Sequence, residues 1–288
     1  DGASFAIDAA NYARRQIQDN SPETVCVYDK TMADLQNMEN EIAIGLDKAI
    51  KNKEFKIYLQ PRFSLTTGKI VGAESLVRWQ REDGTILPPD SFIPVYEKNG
   101  RIIDLDFYMF EETVKLLANW KEQGIPQRLI SINASALHAQ NSDTVHRYTT
   151  ILEKYGVDPA LIELELTETA TVSDYDHVKQ LFAKLQTVGF RTALDDSILN
   201  TVIDIPVNTV KVDRAFISNC ETTHKGIYFL REIINLLKGL GYHIVCEGVE
   251  TPEQASILRN TMCDEVQGYW FSHPVPAHEF EKMLQEGR

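Results

Sequence analysis

The 288-residue sequence predicts an α/β fold, a (β/α)8 TIM-type barrel with an antiparallel first strand, preceded by a short helix-strand tail and a connecting helix. Three observations predict it. From Glu54 onward, short β-rich runs alternate with helix-length amphipathic segments; the runs number eight; and nearly every run ends in a polar or charged residue. Alternation calls for a parallel sheet covered by helices, eight strands close it, and the repeated ending marks one end as chemically distinct.

In order, residues 3 to 17 place Phe5, Ala9, Tyr12, Ala13 and Ile17 near helical spacing, and Thr24–Tyr28 alternates like a short strand. This tail is too small to be a domain. Between Thr31 and Lys51, Leu35, Met38, Ile42, Leu46 and Ile50 form an apolar stripe among charged positions, as expected of a connecting helix docked by one face. The eight runs are Phe55–Leu59, Ile70–Leu76, Leu129–Asn133, Leu161–Leu166, Thr192–Leu194, Thr209–Val212, His243–Cys246 and Glu265–Tyr269. Helical segments lie between most of them: Ile103–Gln123, Asp143–Lys154, Asp174–Val188, Gly226–Gly239 and Pro252–Asn260. Only a turn at Thr66-Thr67-Gly68 separates the first two runs, so these are expected to pair antiparallel. The expected division is a tail over 1–30, a connecting helix over 31–53 and the barrel over 54–288.

The net charge of −13 sets the surface against nucleic acid and anionic membranes, so DNA and RNA are not expected partners. A phosphate-bearing ligand needs local cations or metal ions. Cys26, Cys220, Cys246 and Cys263 are scattered without a Cys-x-x-Cys pair, as suits reduced thiols in the cytoplasm, and the histidines lack zinc-site spacing. No apolar run is long enough to span a bilayer. The start at Asp1-Gly2, without a methionine, is expected of a piece of a longer protein, which leaves room for a membrane anchor or sensor outside these residues.

Functional expectations rest on the run endings. Glu74 ends the second run, Asn133 the third, Glu165 and Glu168 the fourth, Asp195 and Asp196 the fifth, Lys211 the sixth and Glu247 the seventh, while Gln267 lies in the eighth. In a (β/α)8 barrel these positions converge on one mouth. Each alone has a bland reading as a turn former, helix cap or edge charge. Together they make an oxygen-rich set without His or Cys, which selects Mg2+ or Mn2+ over Zn2+. So many carboxylates suggest two metal ions and phosphoryl-ester hydrolysis, with Lys211 balancing charge. Arg78, four residues past Glu74 on what reads as an exposed loop, is suited equally to a phosphate or to a neighbouring carboxylate.

These residues also resemble a known family. Gly72-Ala73-Glu74-Ser75-Leu76-Val77-Arg78-Trp79 resembles the signature that gives the EAL domain its name, with serine at the usual alanine. The likeness continues, in order, through Leu59-Gln60-Pro61, Ser131-Ile132-Asn133, Glu165-Leu166-Thr167-Glu168, Leu194-Asp195-Asp196, Lys211-Val212-Asp213, Glu247-Gly248-Val249-Glu250 and Gln267-Gly268-Tyr269. It implies a phosphodiesterase that opens cyclic di-GMP to linear pGpG with two Mg2+ or Mn2+ ions. By the same resemblance Glu74, Asn133, Glu165 and Asp195 hold one metal, and Asp195 and Asp196 serve the second. Lys211 and Glu247 position and activate water, Gln60, Leu76 and Arg78 contact the dinucleotide, and Gln267 belongs to the same mouth. Glu168 anchors the loop after the paired aspartates. Residues 1 to 30 resemble the end of a GGDEF domain, which implies upstream GGDEF or sensor domains as partners; a homodimer is a further implied partner arrangement, in a bacterial cytoplasmic setting.

One departure divides the functional expectation. After Asp195-Asp196 active members continue with a glycine-rich Phe-Gly-Thr-Gly-Tyr-Ser-Ser loop, whereas Ser197–Pro206 has no glycine, and the 15 positions from Asp196 to Lys211 are several fewer than the family pattern. The retained polar residues favour a phosphodiesterase. The shortened segment favours a catalytically impaired module that binds cyclic di-GMP, or a protein, and signals.

Overall fold

Two long strands open the barrel. β1 (Phe55–Ser64) and β2 (Ile70–Gln80) pair antiparallel from Phe55 opposite Trp79 to Phe63 opposite Ile70, with an irregularity between Arg62 and Phe63. The computed structural model describes residues 2–15, 17, 25–167, 175–195 and 205–287. Within these the later strands are β3 (Ile86–Leu87), β4 (Leu129–Asn133), β5 (Ile162–Thr167), β6 (Arg191–Asp195), β7 (Thr209–Val212), β8 (His243–Cys246), β9 (Glu265–Val266) and β10 (Val275–Pro276). β2, β4, β5, β6, β7, β8 and β9 follow one another in parallel, and β1 closes the ring antiparallel to both β2 and β9. The expected eight-stranded barrel with a reversed first strand is therefore present. β3 and β10 are outer additions to β2 and β1.

The helices begin with α1 (Gly2–Arg15) and α2 (Lys30–Lys51) ahead of the barrel. Around it run α3 (Ile93–Lys98), α4 (Ile102–Gln123), α5 (Thr144–Tyr155), α6 (Tyr175–Val188), α7 (Arg214–Glu221), α8 (His224–Gly239), α9 (Pro252–Leu258) and α10 (Ala277–Gln285). Local chemistry fixes their ends. Asp29 accepts from Met32 N at the start of α2, Asp213 accepts from Ala215 N and Phe216 N at the start of α7, and Thr251 with Gln254 forms a reciprocal capping box on α9. The aspartate two residues past Lys211 is thus a helix cap.

Two apolar clusters fill the molecule. The larger lies between the barrel and its helices and includes Phe110, Trp120, Phe182, Ile234 and Phe280. The smaller joins Ile42, Leu46 and Ala49 of α2 to Phe55, Trp79, Phe92, Tyr96, Ile102, Leu105 and Met109. Only the second half of the α2 stripe docks, since Leu35 and Met38 remain 50% and 38% exposed.

Several expected boundaries are corrected. Val25–Tyr28 is not a strand; Val25 and Val27 are both 76% exposed, and among the described residues no strand pairs with this segment. β1 runs past the expected Leu59 to Ser64 because its pairing continues to the hairpin turn and onto β9, and β2 runs past Leu76 to Gln80 because it keeps pairing with the start of β1 and with β3. Arg78 consequently sits on a strand and not on a loop. The last run shrinks to Glu265–Val266: Gly268 has φ 157°, and a Cβ there would lie 2.2 Å from Val249 O, so the chain turns away at once.

Candidate functional site

Side chains on a strand return to the same face every second residue. That rule stacks the polar side chains of this barrel in two layers. The lower one holds Arg62, Ser131, Glu163, Thr209 and Glu265; two residues along, or two back on the reversed β1, the upper one holds Gln60, Asn133, Glu165, Lys211 and Gln267. On β2 the partner of Glu74 in the lower layer is Gly72, where a Cβ would approach Leu129 O to 2.8 Å and Arg62 Nη2 to 3.0 Å. The glycine makes room for the Arg62 guanidinium.

In the upper layer Asn133 Nδ2 donates to Glu74 Oε1 (2.8 Å) and Gln267 Nε2 donates to Glu74 Oε2 (2.7 Å) and Gln60 Oε1 (3.0 Å). Lys211 Nζ lies 2.7 Å from Glu165 Oε2, 2.6 Å from Glu247 Oε1 and 3.7 Å from Glu74 Oε2. One buried ammonium therefore faces three carboxylates, two from β2 and β5 and one from the residue just after β8. Burial opposes ionisation of Glu74, but Lys211 and the bonds from Gln267 and Asn133 hold its carboxyl below the ordinary value. Glu247 follows β8, where its N–H donates to Val212 O (2.9 Å), and retains 19% side-chain exposure at the mouth.

The lower layer is a closed ionic core. Arg62 Nη1 donates to Glu163 Oε1 (2.7 Å), Ser131 Oγ donates to the same oxygen (2.8 Å), and Thr209 Oγ1 donates to Glu163 Oε2. Arg62 Nε lies 3.2 Å from Glu265 Oε2. Arg62 and Glu163 are 1% and 0% exposed, so neither charge meets solvent. Burial raises the Glu163 pKa, yet Arg62 and the hydroxyl donors outweigh it and bring it to about 2.

Of the residues singled out from the sequence, Glu74, Asn133, Glu165, Lys211, Glu247, Gln60 and Gln267 converge on one mouth. Asp195 ends β6 opposite Thr167, which sets its backbone at that rim. Asp196 and Glu168 lie outside the described residues. Among the described residues no three His, Cys, Asp or Glu side chains form a metal-holding group. In kind the set fits a hard divalent cation, since Glu74, Glu165 and the Asn133 amide supply only oxygen ligands. Leu76 and Arg78 share a strand face with Glu74. Arg78 packs over the Tyr58 ring (5.6 Å) and donates Nη1 to Val77 O (2.8 Å), with no carboxylate holding it in these contacts. Ser75, the departure from the signature alanine, is buried and satisfied by Thr113 Oγ1 (3.1 Å).

A cavity of about 610 Å³ opens beside the mouth, between the end of β2, α3, α4 and the turn after β4. Leu76, Ile93, Leu105 and Met109 give it apolar walls, while Asn133, Glu97 and Asp106 supply polar ones. Burial, with the Asp106 charge nearby, pushes the Glu97 carboxyl up. Asp106 Oδ2 accepts from Ser135 N (2.9 Å) and pairs with His138 Nε2 (3.0 Å). The sequence reading passed over Asp106, although it shares a helical face with Ile102, Leu105 and Met109, and a charge on an apolar face is the available signal. It also passed over the lower layer, whose signal was the alternation in Ile162-Glu163-Leu164-Glu165-Leu166.

The EAL domain model matches residues 45–274. The Bacillus subtilis signaling protein YkoW is 31% identical over 97% of this chain and 35% of its own length. The Pseudomonas aeruginosa cyclic di-GMP phosphodiesterase NbdA is 31% identical over 84% of this chain and 32% of its own. The chain thus spans about a third of these relatives. Among solved structures, the PaMucR phosphodiesterase in complex with c-di-GMP has a TM-score of 0.76 at 26% identity, covering 83% of this chain and 99% of that one. An EAL domain protein from Listeria monocytogenes EGD-e has a TM-score of 0.72 at 28% identity, covering 85% and 98%. With a barrel of the same fold and the family model matched over most of its length, this chain belongs to the EAL domain family.

Proposed function

We propose that the chain binds cyclic di-GMP at the barrel mouth and hydrolyses it to linear pGpG, using two Mg2+ or Mn2+ ions. The observation that carries this reading is Lys211 held among Glu165, Glu247 and Glu74 beside a cavity able to take an aromatic base. Family membership, the phosphodiesterase NbdA and the PaMucR complex support it. Glu74, Asn133, Glu165 and Asp195 would hold one ion, and Asp195 with Asp196 the other. The ions would acidify the attacking water and offset charge on the phosphate oxygens.

The chain's own residues do the rest. Lys211 orients the water from beneath, and Glu247, partly exposed at the rim, takes its proton. The water oxygen bonds to phosphorus, the bond from phosphorus to the ribose 3′ oxygen breaks, and that oxygen takes a proton from solvent while Glu247 gives the water's proton back to solvent. Gln60 and Gln267 order the Glu74 side of the mouth, Arg78 meets a phosphate, and Leu76 packs against a base at the cavity. The barrel acts as one module of a longer protein: residues 31–53 connect it to upstream GGDEF or sensor domains, residues 1–30 are the tail of one, Glu168 anchors the segment after Asp196, and two copies pair.

The second reading, a receptor that binds cyclic di-GMP without turnover, is favoured by one observation, the short glycine-free Ser197–Pro206 segment. Incubating the purified chain with cyclic di-GMP and Mg2+ or Mn2+, with calorimetry alongside, separates the two. Formation of pGpG supports the enzyme; tight binding without product in either metal supports the receptor.

A further inference from the structure

His138 is 1% exposed, on the turn Ala136–Gln140 that follows β4. Its ring meets Phe107 edge-on (4.9 Å between centroids) and lies 5.7 Å from Tyr148. Its backbone is fixed as well, since Ser135 Oγ caps the turn and Thr144 Oγ1 donates to His138 O (2.9 Å). The side chain's described polar bond is the one from Nε2 to Asp106 Oδ2, while Nδ1 is buried without a hydrogen-bond partner among the described residues. An imidazole placed only to fill aromatic space would leave two unsatisfied nitrogens where a leucine or phenylalanine leaves none. The ring's polarity serves Asp106.

Asp106 in turn is clamped on one oxygen. Both described bonds, from Ser135 N and His138 Nε2, land on Oδ2, and Oδ1 is the oxygen left to the cavity that Asp106 lines. A carboxylate oxygen only accepts, so the bond to Asp106 requires the proton on Nε2 and makes the ring the donor. A carboxylate oxygen can only accept, so it favours a base edge carrying N–H groups and repels one carrying a ring-nitrogen lone pair. Guanine presents N1–H and its 2-amino group on that edge; adenine presents a bare N1.

Resting on the reading that the cavity takes a base of cyclic di-GMP, we propose that His138 is a positioning residue for base selection. Together with Ser135 N it holds Asp106 so that Oδ1 meets the donor edge of guanine. The same turn begins three residues past Asn133, so the clamp and the mouth share one short piece of backbone.

The test is calorimetric affinity for cyclic di-GMP and for cyclic di-AMP in the same metal buffer, on the parent, His138→Phe and His138→Gln, each checked for an intact thermal transition. The parent is expected to prefer cyclic di-GMP. His138→Phe keeps the aromatic packing but removes the donor, and should cut cyclic di-GMP affinity about tenfold, the equivalent of one lost charge-assisted bond. Cyclic di-AMP affinity should stay unchanged, so the ratio collapses; His138→Gln, which restores an N–H, should recover most of it. A general packing defect would weaken both ligands alike. If His138→Phe keeps the parent's ratio, the positioning role is overturned while the cyclic di-GMP reading stands. If the parent fails to bind cyclic di-GMP, the functional reading fails and this role with it.

Discussion

Glu74 and Glu163 show how one residue type serves two purposes in the same barrel. Glu74 is buried at the mouth, where Asn133, Gln267 and Lys211 hold it charged. Glu74→Ala is expected to abolish metal-dependent turnover, by at least about a hundredfold, while circular dichroism shows an unchanged fold. Glu163 lies one layer deeper, against Arg62, where it contributes structure. Removing one member of a buried ion pair strands the other, so Glu163→Ala should lose about 3 kcal/mol of stability, read from urea denaturation. The sequence places Glu163 two positions before Glu165 on one strand. Only Glu165 stands near a run ending, so Glu163 is marked by the period-two column beneath it and not by the ending. Asp106 escaped for a related reason: a charge on a helix looks solvated until the helix's apolar face is drawn through it.

At the scale of elements, the alternation of strands and helices was legible because each barrel strand is a short apolar run bounded by polar loops. The antiparallel hairpin was legible from the tightness of the Thr66-Thr67-Gly68 turn. Strand lengths were not, since pairing beyond the rim depends on a partner and not on the strand's own residues: Arg78 faces Lys56 across the hairpin, two residues past Leu76. The Val25–Tyr28 segment failed in the opposite direction, carrying a strand pattern without a partner. For α2, docking is confined to the half that contacts Phe55, Trp79 and Tyr96. Leu46→Ala, fully buried, should cost about 2–4 kcal/mol in denaturant unfolding. Ile44→Ala, at a position 81% exposed, should stay within about 0.5 kcal/mol.

At the scale of the whole molecule, an acidic chain carries a mouth in which the buried cation among the carboxylates is Lys211. With a net charge of −13, binding an anionic dinucleotide requires countercharge at the mouth. Chelation of divalent metal should therefore abolish turnover and weaken dinucleotide affinity together, and Mg2+ or Mn2+ should restore both. No described helix is long and apolar enough to cross a membrane. The most direct test of the account is chromatographic product analysis of cyclic di-GMP incubated with Mn2+ and either the parent chain or Glu74→Ala. The account predicts linear pGpG from the parent and none from the variant. Product from both, or intact cyclic di-GMP in the presence of a parent that binds it tightly, would contradict it.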